Sequence, residues 1–467
     1  MKIEPLDCLR IAADVQAGTR SAEDIAATAL ALAKKYQDKY RVFTTLTPDL
    51  AQQQAQRVAE RIKGGEKLPL AGVPYAVKDL VDVKGIPTTC ASKAFAQNMA
   101  GEDAEVVRRL TEAGAVLIGK TNLHECAFGF TGENPTYGNT RNPWNVERIP
   151  GGSSSGSAVA VVLGICGFTL GSDTGGSIRQ PAALCGIVGI KPTYGRVSRR
   201  GVVPLSWSLD HVGPMTRTAA EAALVLQVLA GRDNLDETSV RRPVRDYLAE
   251  TRKPLNGLRL GVPHNWFYEA LQPPVAQAVM AALDQLEKLG AQRVEVTLPL
   301  MEEVVAAHRA IIFPEAASYH QPYLVKRADE YDPLIRTLLQ AGLFIPAADY
   351  LKAQRARRIV RREWAKVFRK IDCLATPTSP LTATPFGAES AKLPGGEKPL
   401  VRAYLDFTLP FNFSGHPALS VPCGFSPEGL PIGMQLVGRP FAEGTILRCA
   451  HHYQQATPWH RRIPKDV

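Results

Sequence analysis

Lys78, Ser153 and Ser177 are the residues of this sequence whose types and settings could move an acyl group without help from a histidine. Ser177 lies in SDTGGSIRQP, directly after the apolar run GFTLGSD, which reads as a buried strand. Successive backbone N–H groups of Thr174, Gly175, Gly176 and Ser177 can fold into a concave nest for an oxyanion, and the glycines leave room for a substrate carbonyl. Ser153 opens the helical run SSSGSAVAVVLGIC, at the positive end of that helix's dipole. Lys78 ends the apolar stretch LAGVPYAVK. Desolvation there would lower its pKa, and a neutral lysine is a competent base. Each residue also has a plainer reading: most lysines at strand ends face water, and most serines at helix starts are caps.

Two competing chemistries can be weighed beside this one. Gly152-Ser153-Ser154-Ser155-Gly156 matches G-x-S-x-G with Ser154 at its centre, but that elbow must follow a strand. Here RNPWNVERIPG precedes it and reads as loop. The histidines form no H-E-x-x-H pair, and the eight cysteines show no C-x-x-C or zinc spacing. Cys90, Cys126, Cys166, Cys185 and Cys423 sit among small or apolar residues and are expected to be reduced and buried. Neither metal nor cofactor is expected.

The elements that must position these residues follow from periodicity. Ser21 with Asp24 suggests a cap for SAEDIAATALALAKKY, and TPDLAQQQAQRVAERIKGG reads as a helix with a glycine stop. Strands at Leu70–Lys78 and Ala115–Lys120, with the helix AEVVRRLTEAG between them, form a βαβ unit. From Pro150 to Lys191 the chain is crowded with Gly, Ser and small apolar residues, as a closely packed helix, strand and tight loop require. Further on, LRLGVP and QRVEVTLP read as strands around the helix PPVAQAVMAALDQLEKLG, residues 300–370 as mostly helical, and DCLATPTSP as a strand entering a loop. SVPCGFSPEGLPIGMQLV reads as a hairpin, and residues 385–400 as a mobile surface loop. We expect one domain over 1–467: an N-terminal helical segment (1–65), a core (70–235) and a C-terminal part (236–467) completing sheet and pocket.

Composition is that of a globular protein, with 45% hydrophobic and 21% charged residues. No apolar run suits a membrane span, and the N-terminus lacks a signal-peptide core, so a cytoplasmic protein is expected. The net charge of +10 is densest in KAQRARRIVRREWAKVFRK. Val360, Trp364, Val367 and Ile371 recur there at helical spacing, so the segment reads as an amphipathic helix with a solvated basic face.

The segments VPYAVKDL, GKTNLHE, GNTRNPWN, PGGSSSGS, GSDTGGSIRQPAALCGIVGIKPTYGRVSR, LDHVGPMTR, FNFSGHPALSVPCG and LPIGMQLVG together resemble the amidase signature family over most of the chain. The 24-residue spacing from Ser153 to Ser177 is that family's own. The resemblance implies an α/β amidase signature fold, a mixed, mostly parallel central sheet of about eleven strands surrounded by helices. It implies Ser177 as nucleophile, Ser153 as bridging serine in contact with substrate, Lys78 as base and residues 174–177 as oxyanion hole. A cis Gly152–Ser153 peptide and an acyl pocket lined by Ala127 and Phe128 are implied as well. Asp173 and Arg179 read as a structural pair holding the loop.

Within the family the wording is similar to the A subunits of tRNA-dependent amidotransferases, which liberate ammonia from glutamine. Arg357 matches their carboxylate anchor, but Leu405 stands where an aspartate for the amine is expected, with Asp406 one position off. ECAFGFTGEN is also more apolar than the corresponding stretch. These departures lead us to expect a free-standing amidohydrolase of urethanase-like character, a monomer or homodimer. Its expected substrates are small amides, anilides or carbamates (urethanes), with no nucleic acid and no membrane involved. The alternative is the glutaminase component of a tRNA-dependent amidotransferase, working with a partner.

Overall fold

The computed structural model describes residues 5–465, so residues 1–4 and 466–467 of the expected N-terminal and C-terminal segments lie outside it. Its strands in chain order are β1 (Phe43–Leu46), β2 (Pro74–Lys78), β3 (Val116–Thr121), β4 (Phe168–Asp173), β5 (Val188–Lys191), β6 (His211–Thr216), β7 (Arg259–Pro263), β8 (Gln292–Val296), β9 (Cys373–Pro377), β10 (Ser390–Leu393), β11 (Gly396–Pro399), β12 (Ala418–Phe425) and β13 (Pro431–Gly438). Eleven of them form one sheet in the order β1-β3-β2-β4-β6-β5-β12-β13-β9-β7-β8. The fold is thus α/β, a mixed central sheet wrapped by helices.

Parallel pairing is concentrated in two blocks. The predicted βαβ unit forms the first: β2 runs parallel to β3 across the helix Glu105–Glu112, and β4 joins the other side of β2, also parallel. The second is β8-β7-β9, with the helix Pro273–Lys288 crossing between β7 and β8. Antiparallel ladders join the blocks through β6, β5, β12 and β13, and the last two form the expected hairpin. Hydrophobic residues from Cys8 to Tyr453 share one buried core.

Local signals explain where the helices sit. Ser21 Oγ accepts the Asp24 N–H at 3.1 Å and starts Ala22–Tyr40, while Gly64 stops Pro48–Lys63. The Gly/Ser block becomes the helix Ser155–Val162, pressed against the sheet's edge so closely that a Cβ on Gly156 would collide with Val42 O and the backbone of Asn122. The helix Ala347–Phe368 buries Ala353, Arg357, Val360, Trp364 and Phe368 and turns its other basic residues outward. All eight cysteines are buried and free. Among the described residues, no helix is long and apolar enough to cross a membrane.

One expectation is corrected. Residues 385–400 are not an unstructured loop: β10 and β11 pair antiparallel from Ser390↔Pro399 to Leu393↔Gly396. Pro394-Gly395 supplies the two-residue turn, with Gly395 at φ 91°, and Ala391 and Leu393 face a small satellite core while alternate residues face water.

A buried arginine ties distant parts of the sheet to the end of β4. Arg179 pairs with Asp173 at 2.8 Å, both side chains fully buried, and donates to Thr408 O (2.8 Å), Gln435 Oε1 (2.7 Å) and Asn412 Oδ1 (2.6 Å). Replacing Arg179 by Met strands a buried carboxylate and should cost roughly 3–5 kcal/mol of stability. A fall in the urea midpoint and Tm is the expected result; an unchanged midpoint would show the pair to be dispensable.

Candidate active site

β2 and β4 are parallel neighbours, so their C-terminal ends deliver Lys78 and the 172–177 loop side by side. Lys78 is fully buried, and its Nζ lies 2.7 Å from Ser153 Oγ and 2.9 Å from Ser172 Oγ. Burial is the main influence on this amine and Asp173 and Asp210 oppose it; the result is a pKa pushed down to about 7. A large neutral fraction is therefore available near physiological pH, and neutral Nζ can accept a proton from Ser153.

Ser153 follows a cis Gly152–Ser153 peptide, as the resemblance implied. The turn is held by the Gly152 N–H donating to Gln180 Oε1 (2.9 Å) and the His124 N–H to Ser153 O (3.2 Å). The Ser154 N–H donates to Ser177 O at 3.3 Å, which ties the two serine segments together. Ser177 keeps 7% exposure, and among the described residues its hydroxyl has no hydrogen-bond partner, Ser153 included. The structure thus joins Lys78 to Ser153 and leaves Ser177 open beside them. Ser154 Oγ donates instead to Ser172 O (3.1 Å), a structural bond that leaves no nucleophile at the G-x-S-x-G centre.

The nest is shaped by side chains from outside the Gly/Ser block. Gly176 has φ 141°, and a Cβ there would collide with Thr408 Oγ1. Thr408 Oγ1 donates to Gly175 O (2.6 Å), Thr174 Oγ1 donates to Asp210 Oδ1 (2.6 Å), and His308 Nε2 lies 3.1 Å from Thr174 O. Among the described residues, the N–H groups of Gly175, Gly176 and Ser177 have no protein acceptor, which leaves them free for an oxyanion. Burial pushes the Asp173 carboxyl up, but Arg179, Lys191 and Asn412 outweigh it and hold it well below the usual carboxylate range.

Two cavities are lined by chain neighbours of this loop or of the residues that hold it. One of about 300 Å³ is lined by Ala127, Ser172, Trp207, Asp210 and His211 among others. The other, about 620 Å³, is lined by Trp266, Arg309, Arg402, Asp406 and Phe407 among others. Its walls include Arg309 and Phe407, the chain neighbours of the His308 and Thr408 that hold the nest. Ala127 lines the first cavity; Phe128 packs edge-on against Phe313 and lines neither. Arg357, which matches the carboxylate anchor in the sequence, lines neither cavity, and its Nε and Nη2 donate to Phe413 O and Ser208 O. Asp406 does reach the second cavity, with Oδ2 taken by Arg402 (2.6 Å) and Oδ1 buried without a partner.

Ser172, Asp210, Thr408 and His308 were missed in the sequence. Only Ser172 carried a signal, as a hydroxyl in an otherwise apolar buried strand run. Among the described residues, no group of His, Cys, Asp and Glu could hold a metal ion.

The amidase family model matches residues 24–447. The A component of the glutamyl-tRNA(Gln) amidotransferase of Moorella thermoacetica is 42% identical over 470 residues, 95% of each chain. One similar solved structure belongs to a protein complex described as vestigial and as revealing the evolutionary origins of an s-triazine catabolic enzyme. It is 37% identical over 97% of this chain and 98% of that one, with a TM-score of 0.92. The corresponding glutamyl-tRNA(Gln) amidotransferase component of Thermotoga maritima is 37% identical over 94% and 92%, with a TM-score of 0.80. These findings correct two expectations. Eight relatives, 39–43% identical over nearly the whole chain, are amidotransferase A subunits, which overturns the free-standing amide or urethane hydrolase. The same relatives overturn the expectation of a small-molecule substrate alone, without protein partners or nucleic acid.

The buried amine predicts a pH profile. The rate of covalent labelling by a fluorophosphonate should rise with pH through about 7 and then level, because only neutral Lys78 accepts a proton. Lys78→Met should abolish that limb and slow labelling by about 10²- to 10⁴-fold. A limb that survives in Lys78→Met would refute the base.

Proposed function

The chain belongs to the amidase family and hydrolyses amide carbon–nitrogen bonds, and from that premise we propose that it is the glutamine-cleaving component of an amidotransferase of the glutamyl-tRNA(Gln) type, working in the cytoplasm with partner proteins. The observation that carries the reading is the convergence of two arginines and Asp406 on the cavity of about 620 Å³. Arg309, which pairs with no described residue, and Arg402 suit an α-carboxylate, and the unpartnered Oδ1 of Asp406 suits an α-ammonium. A closed pocket would otherwise leave that carboxylate oxygen unmet.

In this reading neutral Lys78 takes the Ser153 proton as Ser153 takes the proton of Ser177. The Ser177 Oγ–carbon bond then forms at the side-chain amide, while the free N–H groups of the nest bind the oxyanion. The relay needs the Ser153 and Ser177 hydroxyls to close on one another when substrate fills the site. Return of the proton through Ser153 to the amide nitrogen lets the carbon–nitrogen bond break and ammonia leave. Water then cleaves the acyl-enzyme, giving glutamate and restoring the Ser177 hydroxyl.

The test is a glutaminase assay on the chain alone and in complex with its amidotransferase partners. Ammonia from glutamine in the complex is expected, abolished by Ser177→Ala. Asp406→Asn should raise KM for glutamine at least about tenfold, as losing an ion pair to a bound ammonium does, with fluorophosphonate labelling unchanged. No ammonia from glutamine in either state, with Ser177 still labelled, would overturn glutamine as substrate and leave the nucleophile standing.

A further inference from the structure

Asp210 is a buried carboxylate that the chemistry above does not use, 8% exposed and on the wall of the first cavity. The two oxygens of its carboxylate bond in two directions, one to the nest and one to the loop that holds Leu205 and Ser206. Oδ1 accepts the hydroxyl of Thr174, the first residue of the nest, at 2.6 Å. Oδ2 accepts the N–H groups of Leu205 (2.9 Å) and Ser206 (3.0 Å). The loop holding those two residues is clamped in turn by Glu315 on the helix Met301–Arg327. Glu315 Oε2 accepts Ser206 Oγ (2.5 Å) and the Ser208 N–H (3.0 Å), and Oε1 accepts Tyr350 OH (2.8 Å) from the helix Ala347–Phe368.

We propose that Asp210 is a positioning residue for the oxyanion nest: it fixes Thr174, and through it the direction of the following N–H groups, by bracing the loop against two helices. The need for such a brace is visible in the loop. Residues 174–177 belong to no helix or strand, and Gly175 and Gly176 carry no side chain that could pack. The nest therefore takes its shape from contacts beyond itself. Thr408 and His308 hold the carbonyls of Gly175 and Thr174, and the Asp210 carboxylate is the charged partner of a nest side chain. A charge-assisted bond of this length has a narrow geometry. A small rotation of Thr174 would swing N–H groups that act only when aimed at the oxyanion position.

This inference rests on the nest and nucleophile assigned above, and the experiment separates the two. Fluorophosphonate labelling rates are measured for the full chain and for Thr174→Val, Thr174→Ser, Asp210→Asn and the Thr174→Val/Asp210→Asn double variant, each checked for an unchanged melting transition. Thr174→Val and Asp210→Asn should each slow labelling about 10- to 100-fold, less than outright loss of an oxyanion donor. Thr174→Ser, which keeps the hydroxyl, should label within about twofold of the parent, and the double variant should be little slower than either single one, as coupled residues require. Labelling of Thr174→Val or Asp210→Asn at the parent rate, or fully additive losses, would overturn the positioning role. If Asp210→Asn unfolds, Thr174→Val against Thr174→Ser still decides, because that pair leaves the Asp210 charge in place. A parent chain that is never labelled at Ser177 would instead sink the nucleophile itself.

Discussion

The buried pair of Asp173 and Arg179 is the interaction on which the site's geometry depends. Asp173 ends β4 and Arg179 opens the helix Arg179–Cys185, so the pair closes the loop 174–178 like a clasp. Two fully buried charges would be unfavourable alone, and here each is saturated: Asp173 also accepts the Ile178 N–H and Asn412 Nδ2, while Arg179 reaches Thr408 O, Gln435 and Asn412. Residues more than 225 positions later in the chain therefore decide how the loop sits, Thr408 being 229 and Asn412 233 residues from Arg179. A glycine-rich segment that could adopt many shapes is left with one.

A second constraint concerns which buried lysine keeps a counter-charge. Lys120, on β3 beside Lys78's strand, is equally buried but ends against Asp79 at 2.8 Å, with Pro87 O and Thr88 Oγ1 completing its shell. Among the described residues, Lys78 hydrogen-bonds only the hydroxyls of Ser153 and Ser172. Hydroxyls can donate to a neutral amine as readily as accept from an ammonium, so they do not favour the charged form as a carboxylate does. Two lysines at adjacent strand ends are thus divided by their partners, one a structural cation and the other a proton acceptor.

Much of this was legible because local rules act locally. The βαβ unit, the Ser21 cap, the glycine stop at residue 64 and the β12–β13 hairpin follow from periodicity and turn chemistry between near neighbours in the chain. Lys78, Ser153 and Ser177 stood out because three weak signals fell at the positions and spacing of the amidase signature family. The antiparallel centre of the sheet was not legible, since nothing in β5 or β6 says which strand lies beside it. Nor were Thr408, His308 and Asp210, whose roles arise from contacts across 134 residues or more, or, for Asp210, from a loop that folds back 36 residues after Thr174. The β10–β11 hairpin was hidden by its Gly and Pro content, which marks a turn and a loop alike.

Arg357 and Asp406 show why a pocket is harder to read than a nucleophile. Arg357 occupies the anchor's place in the sequence, yet the helix Ala347–Phe368 carries it on the buried face beside Ala353, Val360 and Trp364, and its charge goes to two backbone carbonyls. Asp406 looks displaced by one residue, yet it caps the short helix Leu400–Leu405. Asp406 keeps helical dihedrals and its N–H donates to Arg402 O, so its side chain leaves the helix about 100° round from that of Leu405. The carboxylate therefore reaches the cavity, held by Arg402 from one turn earlier on the same helix, with one oxygen still unclaimed. Motif position fixes the reacting atoms because β2 and the 172–177 loop are rigid neighbours. Pocket chemistry is set by which face of a helix end meets the cavity, and position in a motif does not give that face.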